Sequence, residues 1–181
     1  MEASMSVIKT YTGLYFDLNK FDSESISIKD IAHSLSLLCR GNGHVKSFYS
    51  VAQHCIACAK EAILRGYSNK VVLACLLHDA SECYLSDIPS PIKKQLHEYK
   101  LIEDKLINII FTKFIGSCLT KDEEEKVFSI DKDMLKYDLY YLLNEKKDEL
   151  PKLKSNPSYN FVDFLIVEEE YLKIFYKYIN I

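Results

Sequence analysis

The sequence predicts an all-α fold, a single helical bundle that can carry a small hairpin or arm at its N-terminus. Two observations predict it. From Asp30 onward, apolar residues recur at the spacing of one helix face, and no series of strands alternates with the helical segments. The length of 181 residues suits one domain with one sizeable core. We therefore divide the chain into an N-terminal arm, residues 1–29, and a helical domain, residues 30–181.

The N-terminal arm has the composition of short strands. β-Branched and aromatic residues alternate with other residues between positions 7 and 28. Gly13 and the polar stretch 19–25 interrupt the pattern. A small hairpin and an irregular arm both remain open.

Six helices follow, and turn or capping residues separate them. Gly41-Asn42-Gly43 ends the first helix, Gly66 ends the second, and the third ends before Pro89. Thr120 and Glu123 form a capping-box pattern that opens a long helix. The predicted helices span approximately 30–40, 48–64, 70–86, 95–114, 120–143 and 161–178.

Composition and charge exclude two classes of function. The formal net charge of -3 argues against a protein that coats nucleic acid, because such binding rests on an excess of Lys and Arg. A small anionic substrate needs only a local positive pocket. The longest apolar run, Val71–Leu77, is far shorter than the roughly twenty residues that cross a bilayer. Residues 1–10 lack a signal pattern, so we expect a cytoplasmic protein without a membrane partner.

The six cysteines are expected to be small buried side chains in a reducing compartment, because most lie among apolar residues. Cys55 and Cys58 form a CxxC motif, but it lies inside a predicted helix. A zinc site of this type would need a second CxxC motif, which the sequence lacks. A redox-active CxxC usually follows a strand, and no strand is predicted before Cys55. A structural role is therefore favoured.

The densest polar cluster follows the apolar run of the third helix. On one helix, Glu82 follows His78 by four residues and Asp79 by three, so that all three side chains can point into one pocket. A short connection makes the preceding helix an antiparallel neighbour, and His54 on it can face His78. A divalent cation would compensate the burial of such groups, and imidazole with carboxylate suits transition metals. The alternative is a helix whose exposed end simply becomes polar.

Four segments with a fixed order and spacing carry a family resemblance. They read CRGNGH at 39–44, FYSVAQH at 48–54, LLHDASE at 76–82 and SDIPSPIK at 86–93. This pattern resembles the HD-domain phosphohydrolases, in particular the branch with bacterial 5'-deoxynucleotidases and phage-type nucleotide phosphohydrolases. The resemblance extends over approximately residues 30–143. It implies one divalent transition metal per chain (Mn, Co, Ni, Fe or Zn), held by two histidines, the aspartate of the His-Asp pair and a later aspartate.

Three of the implied metal ligands are His54, His78 and Asp79. Two candidates exist for the later aspartate, and we choose Asp131 over Asp133.

That choice follows the family spacing, in which the ligand precedes a leucine by four residues and an acid by seven. The first candidate meets this spacing with Leu135 and Asp138, and on a helix all three share one face.

The resemblance also implies residues that act on the substrate. Glu82 and Asp87 would be catalytic acids that handle water or a proton, and Asp87 could also bind the sugar. Arg40 would bind the phosphate, for which its planar, charged fork is suited. Lys93 and His44 are further candidates for substrate contacts, although a surface lysine and a loop-packing histidine are the alternatives.

These features predict metal-dependent hydrolysis of nucleotide phosphate esters, with a 5'-nucleoside monophosphate as the substrate. The alternatives are a nucleoside triphosphate triphosphohydrolase and a non-catalytic nucleotide-binding module; a two-iron oxygenase would need further ligands. The deoxynucleotidases have an aromatic residue after the arginine, where this chain has Gly41, and the chain has no tryptophan. The sugar preference therefore stays open. The family also suggests a homodimer.

Overall fold

The all-α prediction is confirmed. The computed structural model describes residues 7–145 and 149–179, and within these ranges the chain forms eight α-helices and one two-stranded hairpin. The helices are α1 (Ile28–Leu37), α2 (Val51–Arg65), α3 (Asn69–Leu77), α4 (Glu82–Leu85), α5 (Ser90–Lys93), α6 (His97–Ile115), α7 (Lys121–Leu143) and α8 (Phe164–Tyr178). Among the described residues, no helix is long and apolar enough to span a bilayer.

The N-terminal arm contains a small hairpin, which is one of the two alternatives that the sequence left open. Strand β1 (Val7–Lys9) pairs antiparallel with β2 (Tyr15–Asp17), and Phe16 is fully buried. The Asp30 carboxylate accepts hydrogen bonds from the N–H (2.6 Å) and the hydroxyl (2.8 Å) of Thr12. The arm is thus fastened to the start of α1. Residues 1–6 of the predicted arm lie outside the described residues, and the boundary at residue 29 stays a prediction.

Local capping explains where the two helices that flank the site begin and end. Ser50 and Gln53 form a capping box at the start of α2, and Gly66 ends the helix at φ 77°. This left-handed conformation favours glycine. At α7 the structure contains the predicted capping box of Thr120 and Glu123.

Helix α3 lies at the centre of the core. Every side chain from Val71 to Leu77 is at most 2% exposed, and α3 contacts α2, α6, α7 and α8. Helix α2 packs on α1, α3, α7 and α8. Burial of apolar surface at about 25 cal/mol per Å² drives this arrangement. It brings the C-terminal end of α3 close to the first turn of α2 and the middle of α7.

The third predicted helix is interrupted, which corrects one part of the sequence interpretation. Helix α3 ends at Leu77, residues 78–81 form a turn, and α4 begins at Glu82. The turn is held by i to i+3 hydrogen bonds, from Ala80 N–H to Leu77 O (2.9 Å) and from Glu82 N–H to Asp79 O (3.0 Å). The tighter bonds alter the direction of each side chain relative to an α-helix. The single-helix spacing expected for His78, Asp79 and Glu82 is therefore wrong.

Candidate metal centre

Three separate segments bring the four predicted metal ligands together. His54 comes from the first turn of α2, His78 and Asp79 from the turn after α3, and Asp131 from the middle of α7. The Asp131 Oδ1 atom lies 3.1 Å from His54 Nε2 and 3.6 Å from His78 Nε2. The distance from His78 Nε2 to Asp79 Oδ2 is 3.3 Å. All four side chains therefore line one small space.

A backbone carbonyl sets the orientation of the His78 ring. Its Nδ1 lies 2.8 Å from the carbonyl oxygen of Cys75, which can only accept, so Nδ1 carries the hydrogen. In the neutral ring Nε2 then has a free lone pair, and it faces the carboxylates of Asp79 and Asp131. This buried Nε2 has no hydrogen-bond partner among the residues described. Such an arrangement is typical of a metal-binding imidazole.

The fully buried His54 ring is enclosed by charged side chains. Its Nδ1 lies 2.8 Å from Asp138 Oδ2, which is ion-pair distance but off the direction of a good hydrogen bond. On the other side of the ring, Nε2 lies 3.2 Å from an Nη2 nitrogen of Arg40. Asp138 also accepts hydrogen bonds from Arg40 Nε (2.7 Å) and the Tyr159 hydroxyl (3.1 Å). This carboxylate connects the histidine to the arginine.

Asp138 and Tyr159 are site residues that the sequence interpretation missed. The sequence analysis used Asp138 only as the acid that follows the metal ligand by seven residues. That spacing on α7 also indicates that Asp138 and Asp131 share one helix face. No comparable pattern exists for Tyr159, which lies in the loop between α7 and α8. Only tertiary structure brings it to the site.

The charges at the centre of the site balance only when positive charge is added, either by protonation of both histidines or by a bound cation. Three carboxylates surround one guanidinium, an excess of two negative charges when both histidines are neutral; the groups are Asp79, Asp131, Asp138 and Arg40. Burial raises the pKa of each aspartate, but the neighbouring histidines and, at Asp79 and Asp138, the arginine outweigh burial and lower it. Burial lowers the pKa of both histidines, yet the adjacent anionic groups raise it well above the usual value. Added positive charge is therefore stabilising here, and a divalent cation would supply it.

Two buried thiols extend the donor set. Cys58 Sγ lies 3.5 Å from His54 Nε2, and the donor atoms of His54, Cys58 and His78 are all within 4.8 Å of one another. The donor atoms of Cys55, His78 and Asp79 form a second such group. Both cysteines are buried, as expected, but their contact with the site was not predicted. A buried histidine and cysteine group could thus hold a metal ion.

Arg40 is positioned by a tight turn. It begins a 3₁₀ turn in which Gly41 adopts φ 62° and ψ 33°, and the Gly41 N–H donates to Asp87 Oδ2 at 2.7 Å. Arg40 Nη1 lies 3.5 Å from Asp79 Oδ2, so the guanidinium borders the candidate ligands. A side chain at Gly41 would be strained at this positive φ. The backbone conformation therefore favours glycine over an aromatic residue at this position.

Glu82 and Lys93 form the opposite edge of the site. Glu82 is 4% exposed, and burial, together with the charges of Asp79 and Asp87, raises its pKa to about 9. Lys93 Nζ lies 3.5 Å from Glu82 Oε1 and 2.6 Å from Glu103 Oε1. Glu82 is thus largely protonated near neutral pH, and Lys93 is a half-buried paired cation instead of a free surface lysine.

His44, a predicted substrate contact, and Asp133, the alternative metal ligand, lie away from this cluster. His44 is exposed, and its ring makes no hydrogen bond or ion pair within the described part of the chain. Asp133, the alternative to Asp131, accepts a hydrogen bond from Arg65 Nη2 at 3.1 Å. Of the two aspartates, Asp131 is therefore the one beside the histidines.

Comparison with known proteins identifies partial relatives. No protein-family model matches the chain. It is 42% identical over 110 residues to YfdR of Escherichia coli K12, which covers 61% of this chain and 59% of that protein. It is 34% identical over 109 residues to RCAP_rcc00048 of Rhodobacter capsulatus, covering 57% and 55%. The chain thus spans less than two thirds of each relative, and both names describe an uncharacterised protein.

Proposed function

We propose that this protein is a metal-dependent phosphohydrolase of the HD type that hydrolyses 5'-nucleoside monophosphates. The observation that carries the proposal is the convergence of His54, His78, Asp79 and Asp131 from three segments into one negatively charged, mostly buried space. Two imidazoles with two carboxylates are a suitable donor set for one divalent ion such as Mn, Co, Ni, Fe or Zn. The lone pair of His78, fixed by Cys75 O, supports the same conclusion.

The metal would activate both the attacking water molecule and the phosphate group. His54, His78, Asp79 and Asp131 would hold a divalent ion, which would lower the pKa of a water molecule and polarise a phosphoryl oxygen. Arg40 borders the same space and would bind the remaining phosphoryl oxygens, which spreads their negative charge over its guanidinium. Asp138 holds that guanidinium through Nε, and the two Nη groups lie beside Asp79 and His54, at the border of the space that the substrate phosphate would enter.

Two acids would complete the reaction. Glu82 carries a proton near neutral pH, which supports a role in protonating the leaving 5'-oxygen or relaying a proton from water. Asp87 accepts from Gly41 N–H and so restrains the turn that carries Arg40. Its second oxygen would be free to contact the sugar.

A cavity lined in part by Lys93 favours one second candidate, a triphosphohydrolase. Its volume is about 270 Å³, and Lys93 connects it to the site through the contact with Glu82. Three lysines on its wall would suit additional phosphate groups, which would replace the present carboxylate partners of Lys93 and Lys100. The lining residues are Ser90, Lys93, Lys94, His97 and Lys100. Release of triphosphate instead of phosphate would identify this activity.

The experiment is a substrate screen with purified protein. Ribo- and deoxynucleoside mono- and triphosphates are incubated with Mn, Co, Ni or Zn, and phosphate and triphosphate are measured. We expect metal-dependent phosphate release that Asp79→Asn lowers by roughly 100-fold or more, since loss of an outer-shell partner alone costs about 10- to 100-fold. The matched control is Asp133→Asn, which alters an ion pair with Arg65 and should leave turnover unchanged.

Two outcomes would contradict the proposal. Full turnover by the Asp79→Asn variant would exclude the metal site as the catalytic centre. Nucleotide binding without any product, for every metal, would favour the non-catalytic module instead.

A further inference from the structure

We propose that Cys58 contributes its sulfur to the metal held by His54 and His78, so that the site is a mixed nitrogen, oxygen and sulfur centre. This inference rests on the metal site of the proposed function, but not on the reaction assigned to it. It restricts the candidate metals to those that bind a thiolate well.

The geometry begins with helix α2. Cys58 follows His54 by four residues, so that both side chains project from the same face. The distance from Cys58 Sγ to His54 Nε2 is 3.5 Å. Two donor atoms bound to one ion by bonds of about 2.0–2.3 Å lie roughly 3–4 Å apart, whether the ion has four ligands or five.

His78 also lies close enough to Cys58 for one ion to bind both. Donor atoms of His54, Cys58 and His78 lie within 4.8 Å of one another, so one ion can contact all three after small side-chain movements. Both Cys58 and His54 are at most 1% exposed. Water would therefore compete little for the sulfur.

The surroundings of Cys58 differ from those of a cysteine that only fills space. Cys83 Sγ donates to a backbone carbonyl, that of Asp30, at 3.5 Å, which is an ordinary contact for a thiol. Cys58 instead faces an imidazole nitrogen that lies 3.1 Å from Asp131 Oδ1. Its sulfur is thus directed at the atom that would bind the metal.

The chemical consequence is metal selectivity. Thiolates bind soft and borderline ions such as zinc, cobalt and cadmium well, whereas manganese prefers oxygen donors. We therefore expect tight binding of cobalt, zinc and cadmium and weaker binding of manganese. Without the sulfur, this preference should diminish.

Cobalt absorption spectroscopy tests the proposal directly. Full-length protein, freed of metal by a chelator, is titrated with Co²⁺. We expect a thiolate-to-cobalt charge-transfer band in the near ultraviolet that saturates at one ion per chain. Cys58→Ser should lose this band and still bind cobalt, and its affinity for Cd²⁺ should fall by about 10-fold or more. Cys83→Ser is the control, and its spectrum should match that of the wild type.

Further variants make the result specific. Cys58→Ala removes the hydroxyl that could replace the sulfur, and circular dichroism establishes that each variant is folded. Cobalt binding by the wild type without a charge-transfer band would overturn the proposal. A band that survives in Cys58→Ser, or that only Cys55→Ser removes, would do so as well.

The thiolate and the hydrolytic activity can fail separately. Phosphate release by a wild type that lacks the band would overturn the role of Cys58 and leave the proposed function intact. The band without product for any nucleotide would support Cys58 and count against the phosphohydrolase.

Discussion

A single backbone carbonyl decides how His78 can act. Because Cys75 O accepts from Nδ1, the other ring nitrogen faces two carboxylates with its lone pair. At the same scale, Asp138 holds both Arg40 and the ring of His54. The site therefore depends on one carboxylate that is not itself among the four predicted ligands.

Substitution of Asp138 tests this dependence. The pKa of Asp138 is lowered because Arg40 and His54 outweigh the effect of burial, so its charged form stabilises the fold. We expect Asp138→Asn to lower the free energy of unfolding by about 3 kcal/mol, as for other broken buried ion pairs. Urea denaturation of metal-free protein at neutral pH measures the change.

Asp133→Asn provides the comparison for that experiment. Asp133 is more exposed and is paired with Arg65, so its loss should cost about 1 kcal/mol or less. Equal destabilisation by the two substitutions would contradict the role assigned to Asp138.

At the residue scale, the sequence is informative where a motif fixes the spacing. The family resemblance names His54, His78 and Asp79, its spacing favours Asp131, and these four side chains lie together in the structure. The contact between Cys58 and His54 depends on which face of α2 points toward the site. Amino-acid composition alone does not reveal that orientation. For that reason the cysteines were interpreted only as buried packing.

The turn between α3 and α4 is the decisive element near the site. The apolar periodicity predicted a continuous helix, but the chain tightens at residues 78–81, where the polar side chains gather. Periodicity reports which face is buried and is insensitive to a local change from i+4 to i+3 bonding. The helix is present as predicted, but it ends at Leu77 and not near residue 86.

A second element, the loop between α7 and α8, is tied to α2 by Glu61. The buried Glu61 carboxylate accepts from the N–H groups of Lys154 (3.1 Å) and Ser155 (2.7 Å) and from Arg65 Nε (2.7 Å). The same loop carries Tyr159 to Asp138. Stability of the loop and order at the site are therefore connected.

The pH dependence of stability tests the Glu61 contacts. Burial raises the pKa of Glu61, but hydrogen bonds from Ser155, Lys154 and Arg65 outweigh it and lower the pKa. A lowered folded pKa stabilises the protein above the unfolded pKa of about 4.3, and this contribution is lost as pH falls through the folded pKa. We expect Glu61→Gln to cost about 2 kcal/mol at pH 7, typical of lost charged hydrogen bonds.

The difference from wild type should then shrink as the pH falls below about 4. Denaturant unfolding between neutral and acidic pH measures it, with the exposed Glu125→Gln as a control that should match the wild type. A difference that does not change with pH would contradict the assignment.

The whole molecule is organised around an apolar helix that ends in a polar cluster. Helix α3 is buried along its length, and its C-terminal end meets α2 and α7. The fold class was predictable because helical periodicity and caps are local properties of the sequence. Which helix ends meet is a tertiary property, and here the family resemblance supplied the expectation. A homodimer and nucleotide as the substrate stay predictions.

The most direct test of the central claim is phosphate release measured against metal equivalents in the same samples. Chelator-treated protein receives increasing Co²⁺ or Zn²⁺ at a fixed concentration of nucleoside monophosphate. The account predicts no activity without metal, a rise that ends at one ion per chain, and no rise for His78→Gln. Full activity in the metal-free protein, a requirement for two or more ions, or no phosphate release at saturation would contradict it.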